Sequence, residues 1–441
     1  MALGGGTFIS QNKILPGSYI NFVSLKNASS SLSDRGTAAL ALWLDWGRQG
    51  EIIEVSSQDF EKNSLKIFGY PFTHPKMKGL RDLFRNIRTL YTYRLNTGGS
   101  FAENEFCTAK FRGSRGNDIK IIVEKNSDNN ALSDVVILFD GLRVYSETVE
   151  NIEQLSDNDY VNWKRESLLF DTPGMPLEDG DDGIYDVTNA AEHISFLDKL
   201  EAYSFNALGC PYDNASVNQL YASFAKRMRD EVGVKFQAVC FNTAGDHEGV
   251  VNVACEAKEE EDSEFDKAAL VYWITGIIAG CAVNRSNLNK RYDGEFKPVT
   301  DFNQKALIDA IKAGKFMLHN VNGEARVLAD INSLVSLTAE KGDDFKENQT
   351  VRVIDQIAND IAVMFNTRYL GIIPNNDSGR VSLWSDIVSH HQTLESLGAI
   401  TEFSPENVTV EKGETKKSVV VTDMIMPVNA MAQLYMTCII E

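Results

Sequence analysis

Apolar positions change their period several times along this 441-residue chain, and each change marks a different kind of element. The start is the least regular. Gly4, Gly5 and Gly6 precede Thr7 to Ile9, then Pro16-Gly17, and then SYINFVS alternates as a strand does. Its residues Tyr19, Ile20, Asn21, Phe22 and Val23 have no neighbouring element to receive them. LKNASSSLSDRG follows and reads as linker. A strand tethered this way either pairs within its own domain or adds to the sheet edge of another molecule.

Residues 28–97 read as mixed α/β: a strand from Thr37 to Asp45, a short helix over Gln58 to Asn63, a helix from Met77 to Arg88 with Leu80, Leu83, Phe84 and Ile87 on one face, and a strand at Leu90 to Leu95. Residues 98–183 turn to short strands bounded by turns (CTAKF, IKIIVEK, VVILFDGLRVYSETV), which fits a small inserted sandwich or barrel. In residues 184–345 helix and strand alternate. An amphipathic helix spans His193 to Leu200, and strands are expected at Tyr203 to Cys210, Val234 to Phe241 and Val250 to Cys255. A helix capped by Asp213 or Asn214 carries Val217, Leu220, Tyr221, Phe224 and Met228 on its inner face. That order implies a largely parallel sheet with right-handed crossovers, covered by helices. Residues 346–441 give two helices, the first with Ile354, Ile357, Ile361 and Phe365 inward and the second ending at Gly398, then strands at Val408 to Val410, Val419 to Ile425 and Ala430 to Ile440.

Charge and chemistry narrow the function. The formal net charge of −19 leaves no basic stripe for nucleic acid. Ala268 to Val283 is the longest apolar run and falls short of a bilayer span, so it reads as a buried helix. No secretory signal pattern opens the chain, which suggests synthesis in the cytoplasm. Six scattered cysteines match neither a zinc nor a redox motif. Phosphate-binding and nucleophile-elbow glycine patterns are missing from the sequence. Asp246-His247-Glu248, placed just after the strand ending at Phe241, is the one triplet that suggests an α/β hydrolase site. His390 and His391 are adjacent on a helix and are expected not to face one ligand together, with His391 a packed core residue. The acidic run Glu259 to Glu264 lacks the alternating pattern of a calcium loop. No catalytic residue, metal site or cofactor emerges.

Four segments, in order, resemble the contractile tail sheath proteins of phages and phage-tail-like bacteriocins, especially those of Gram-positive defective prophages: MALGGGTF with PGSYINFVS; AKFRGSRGNDIKI; GKFMLHNVNGEARVLADINSLVSLT; and DMIMPVNAMAQLYMTCII. The resemblance runs from end to end.

It implies an α/β multidomain fold: a subtilisin-like core without catalytic residues, an inserted β-domain, and a C-terminal domain with extended terminal strands. It also implies a structural subunit of stacked hexameric rings that contract around an inner tube. Its partners would be further copies of itself, the tube protein, and baseplate and terminator proteins, in a particle released by lysis. Tyr19 to Val23, and Leu434, Tyr435, Met436, Thr437, Cys438, Ile439 and Ile440, become strands crossing between subunits, with Lys26, Asn27, Ala28, Ser29 and Ser30 as hinge. Charge complementarity to a tube would single out Arg352, Arg368 and Arg380, although residues 350–441 hold six Lys/Arg against eleven Asp/Glu. The rival readings are a hydrolase using Asp246 and His247, and a non-contractile baseplate or capsid subunit.

Overall fold

The computed structural model describes residues 32–184, 190–258 and 265–440. The N-terminal strand Tyr19 to Val23, the hinge at Lys26 to Ser30 and the acidic run from Glu259 lie outside them. In chain order, the first segment supplies strands β1 (Thr37–Leu42) and β2 (Ile53–Ser56), helices α1 (Ser57–Phe68) and α2 (Lys78–Phe84), and strand β3 (Thr89–Arg94). The inserted region is mostly strand, with two short 3-10 turns: β4 (Cys107–Ala109), β5 (Ile119–Lys125), β6 (Ser133–Phe139), β7 (Leu142–Val149), β8 (Val161–Trp163) and β9 (Thr172–Pro176). Then follow α3 (Ala190–Leu200), β10 (Ala207–Cys210), α4 (Ala215–Arg227), β11 (Gln237–Phe241), β12 (Val250–Val253), α5 (Leu270–Gly280), α6 (Gln304–Lys312), β13 (Lys315–Phe316), β14 (Leu318–Val321) and β15 (Glu324–Val327). The last elements are α7 (Asn348–Met364), α8 (Asp377–Ser396), β16 (Val408–Lys412) and β17 (Val419–Asp423).

Contacts divide the described chain into two bodies, 34–356 with 429–440 and 32–33 with 357–428. The division falls inside α7, between Gln356 and Ile357. Its physical cause is the first turns of α7: Asn348 Nδ2 donates to Asp330, Arg352 bonds Arg285 O at 2.7 Å, and Asp355 pairs with Arg229 at 2.7 Å.

In the larger body, β1, β2 and β3 join the later strands in one seven-stranded sheet, ordered β13-β12-β11-β10-β1-β3-β2. Every pair is parallel except β2 with β3. Its central strands are buried almost throughout because both faces are covered. On β1, Ala38, Leu40 and Leu42 face a core shared with α2 and α5, while Ala39 and Ala41 face one shared with α3 and α4. The expected buried helix is α5, with Leu270 to Ala279 buried in succession. Gly280 lets it approach the turn after α2 closely, since a Cβ there would lie 1.7 Å from Asn86 O. Asn214 is the cap of α4, accepting from Val217 N–H.

The inserted strands form a sheet ordered β7-β6-β5-β9 and a β4–β8 pair. Trp46, contributed by the segment after β1, sits in their core, 5.2 Å from the Phe111 ring and 5.1 Å from that of Phe139, and its indole donates to Lys66 O. Arg115 crosses the same junction, donating to Gly69 O at 2.7 Å and stacking over Tyr70. Chemistry of this kind, a buried aromatic and a guanidinium shared by both parts, fixes one to the other.

In the smaller body, Met364, Tyr369, Leu383, Ile387, Val388 and Val408 form the core on which the antiparallel hairpin β16–β17 rests. Helix α8 ends at Gly398, with φ +72°, as its sequence predicts. The strand expected over Ala430 to Ile440 has no strand partner among the described residues.

Candidate functional site

Open α/β sheets place ligands at the carboxyl ends of their strands, where the strand order reverses. Here the order reverses at β1, with β3 on one side and β10 on the other, and a cavity of about 540 Å³ opens there. Its polar groups are already engaged. Asp45 accepts from the Tyr70 hydroxyl and from Lys76 at 3.0 Å; Asp266 accepts from Asp213 and Ala268 N–H; Tyr212 donates to Ala41 O. Coulombic contact with Asp45 adds to burial in pushing the Tyr70 phenol well above its ordinary range. No serine, cysteine or histidine is among the described lining residues.

Asp246-His247-Glu248 is not at that end of the sheet. Because β11 and β12 are parallel and pair Ala238 with Val250, residues 242–249 must run back across the sheet, which leaves the triplet at the amino end of β12. Gln237 marks the place, donating to Glu248 O at 3.0 Å. Nor do Asp246 and His247 form a dyad. Asp246 accepts from Val335 and Ser336 N–H at 2.7 and 2.8 Å, and the Ser336 bonds foremost hold its carboxyl below the usual range. His247 Nδ1 accepts from Gly249 N–H, so Nε2 carries the proton and donates to Asp230 at 3.0 Å. Burial keeps this imidazole neutral by pushing its pKa down.

Asp230, His247 and Glu248 gather their oxygens and nitrogens within 4.8 Å, the one such group among the described residues. They do not fit a cation. Glu248 is held by Lys341 at 2.9 and 3.0 Å, and His247 Nδ1 already has its hydrogen bond. Burial pushes Glu248 up, yet the hydrogen bonds from Lys341 foremost, with the Arg229 charge, outweigh it and hold the carboxylate below its usual range. The cluster is a hydrogen-bonded brace joined to the Arg229–Asp355 pair. Five cysteines are buried and free; burial raises the thiols of Cys107, Cys240 and Cys255 to about 12, which leaves them unreactive.

The three arginines expected at a tube-facing surface fare differently. Arg352 is a correction: its side chain is 1% exposed, 3.4 Å from Asp330, and presents nothing to a partner. A helical period cannot reveal an acid 22 positions upstream. Arg368 is 3.2 Å from Asp386 and about one-third exposed; Arg380 is mostly covered and bonded to Asn375 and Asp377. Between them Leu370, Ile372 and Ile373 expose apolar side chains.

His391 is buried, as expected of a packed core residue, and His390 is buried beside it. Their Nδ1 atoms stand 3.2 Å apart, although adjacent helical positions point in different directions. The rings turn toward each other because each Nε2 is drawn to its own carboxylate, Asp360 at 3.0 Å and Asp423 at 2.6 Å.

The strongest unsatisfied feature is the C-terminal segment. Asn429 and Ala430 are fastened to α7 through Thr350 at 3.1 Å and Gln349 at 2.9 Å. Beyond them Met431, Leu434, Tyr435, Met436, Ile439 and Ile440 stand in solvent, the first 99% and the last 95% exposed. Burying such a side chain is worth about 1.5–3 kcal/mol, so a row of six is a surface waiting to be covered. In the smaller body, the two-stranded hairpin has no further strand on either edge among the described residues and exposes Val420 and Val421. Two strands alone are barely stable in water.

Comparison with known proteins gives four consecutive family models: the tail sheath protein Gp18 domain III N-terminal region over residues 35–95, the phage tail sheath protein beta-sandwich domain over 97–182, its central domain over 186–333 and its C-terminal domain over 340–441. A sheath tail protein from Desulfitobacterium hafniense is 30% identical, with TM-score 0.80, and the match covers 94% of this chain and 98% of that one. The phage-like element PBSX protein XkdK of Bacillus subtilis is 29% identical over 98% of this chain and 99% of its own length. At 12% identity and TM-score 0.58, the same fold recurs in the helical sheath of the anti-feeding prophage in its contracted state, over 96% of this chain and 99% of that one.

Proposed function

We propose, from the premise that this chain belongs to the phage tail sheath protein family, that it is a structural subunit whose copies join through their terminal segments into a contractile helical sheath around an inner tube. The observation that carries this reading is the exposed apolar segment at 431–440 together with a hairpin that has no further strand on either edge among the described residues. A strand added along a sheet edge pairs through its backbone, so subunits stay linked while their bodies rotate. Leu434 to Ile440 of one copy and Tyr19 to Val23 of another would complete a four-stranded sheet on β16–β17 of a third, with Lys26 to Ser30 bending. A contact of this head-to-tail kind does not close on itself and extends as a helix of stacked rings, hexameric in this reading.

The α/β core is subtilisin-like in layout and has lost any catalytic role. The site arguments support this: engaged carboxylates in the cavity, and Asp246 and His247 held by separate partners. Contraction would then draw on a metastable extended lattice and not on a nucleotide, in keeping with a sequence that lacks a phosphate-binding loop. Tube contact falls to the surface around Arg368 and Arg380, each paired with an aspartate, and to the apolar turn Leu370 to Ile373. Baseplate and terminator proteins would cap the two ends. No described helix is long and apolar enough to cross a membrane. We place synthesis in the cytoplasm and the finished subunit in a phage tail or tail-like particle.

Negative-stain microscopy of the purified full-length chain tests this reading. Long hollow cylinders are expected. Discrete rings or monomers at every concentration tried would favour a non-contractile baseplate or capsid subunit.

A further inference from the structure

The proposed assembly makes no use of the cavity at the carboxyl ends of β1, β3 and β10, and the lining of that cavity specifies a ligand class. Its volume, about 540 Å³, falls within the roughly 300–1,000 Å³ of small-molecule clefts. The walls are aromatic: Trp43, Tyr70, Tyr212, Phe265 and Tyr272 line it, and the Phe265 and Tyr272 rings meet edge to face at 87°, as a corner does. They are also acidic, since Asp45, Asp182 and Asp266 line it against a single basic residue, Lys76. Arg94 is buried where it feels the charges of Asp182 and Asp45, which still leaves the aspartates in excess. These aspartates do not gather as ligands to one metal ion, because the described residues hold such a group only at Asp230, His247 and Glu248.

We propose that the cavity binds a small organic cation, an alkylammonium or guanidinium group whose head is drawn to Asp45 and Asp182 and whose stem packs on the rings. The chain already holds two cations of its own on one of these rings. Lys76 lies 3.0 Å from Asp45 and 4.9 Å from the centre of the Tyr70 ring, and the Arg115 guanidinium stands 4.3 Å from that same centre. An aromatic face attracts a cation through its quadrupole, and a carboxylate adds Coulombic attraction that strengthens as water is excluded. Room for a further charge remains. Both bonds to the Asp45 side chain fall on Oδ2, so Oδ1 keeps its lone pairs. The Asp182 carboxylate accepts from Ser114 N–H at 2.6 Å and from the Ser114 hydroxyl at 2.8 Å, and no cation is paired with it among the described residues. The two aspartates are neighbours across Gly113, where a Cβ would lie 1.9 Å from Asp45 O and 3.2 Å from Asp182 Oδ1. The recognised head group is the same whether it arrives as a free amine or guanidine or as a lysine or arginine side chain of another protein.

Equilibrium dialysis of the full-length chain in dilute buffer tests this with two probes of one shape, butylguanidinium and the uncharged butylurea. Saturable uptake of one butylguanidinium per chain is expected, with butylurea bound at least about tenfold more weakly. No saturable uptake up to about 10 mM, or equal affinity for the charged and the neutral probe, overturns the proposal. In Trp43→Leu and in Asp45→Asn the affinity for butylguanidinium should fall about tenfold each, and an affinity unchanged in both places the cation elsewhere and overturns the assignment. Should either variant not fold, the comparison of charged with neutral probe on the unaltered chain still decides. A glycine–arginine–glycine peptide separates the sources: bound as well as butylguanidinium, it assigns the cavity to a partner's side chain, and bound about tenfold more weakly, to a free cation.

Discussion

Truncation after Gln433 should leave the melting temperature of the subunit unchanged and remove essentially all sedimentable polymer. The lost residues are exposed, their one hydrogen bond within the described chain running from the exposed Tyr435 hydroxyl to Gln433, and changes at such sites normally alter stability by less than about 0.5 kcal/mol. In the assembly the same residues would bury Leu434, Tyr435, Met436, Ile439 and Ile440. At about 1.5–3 kcal/mol each, with several backbone hydrogen bonds of about 1 kcal/mol, that is on the order of 10 kcal/mol per joint before ordering costs. Since 1.4 kcal/mol is tenfold in affinity, no polymer should survive. Calorimetry and sedimentation of the two proteins side by side check both halves. A truncated chain that melts lower and still polymerises would place the segment inside its own fold.

Deleting residues 1–24 is expected to have the same signature: folded bodies and no polymer. The first described strand begins at Thr37, and its partners β3 and β10 lie well downstream, so the deletion removes nothing from the seven-stranded sheet. Tubes formed by this variant would show that the N-terminal strand is not a joint.

Much of the architecture was legible. The unbroken apolar run of α5 can only be buried, and the alternation of helices with apolar strands forces a parallel sheet. What was not legible depends on partners distant in sequence. Asp246 to Glu248 follow a strand, which suggested the carboxyl end of the sheet; only the register of β11 on β12 reveals that the loop crosses to the other end. Arg352 looked like any surface arginine until Asp330 and Arg285 O were seen to enclose it. The contact between the His390 and His391 rings was not legible because helical spacing fixes Cβ directions and not ring torsions. The segment 430–440 has the apolar pattern of a strand, and that pattern cannot say whether its partner belongs to the same copy or to another.

The most direct test of the central claim is a cryo-electron-microscopy reconstruction of the assembled full-length chain, traced through residues 434–440. The account predicts that this strand leaves its own subunit and pairs along an open edge of β16–β17 in a neighbour. A strand folded back onto its own chain, with subunits meeting only through their globular bodies, would contradict it.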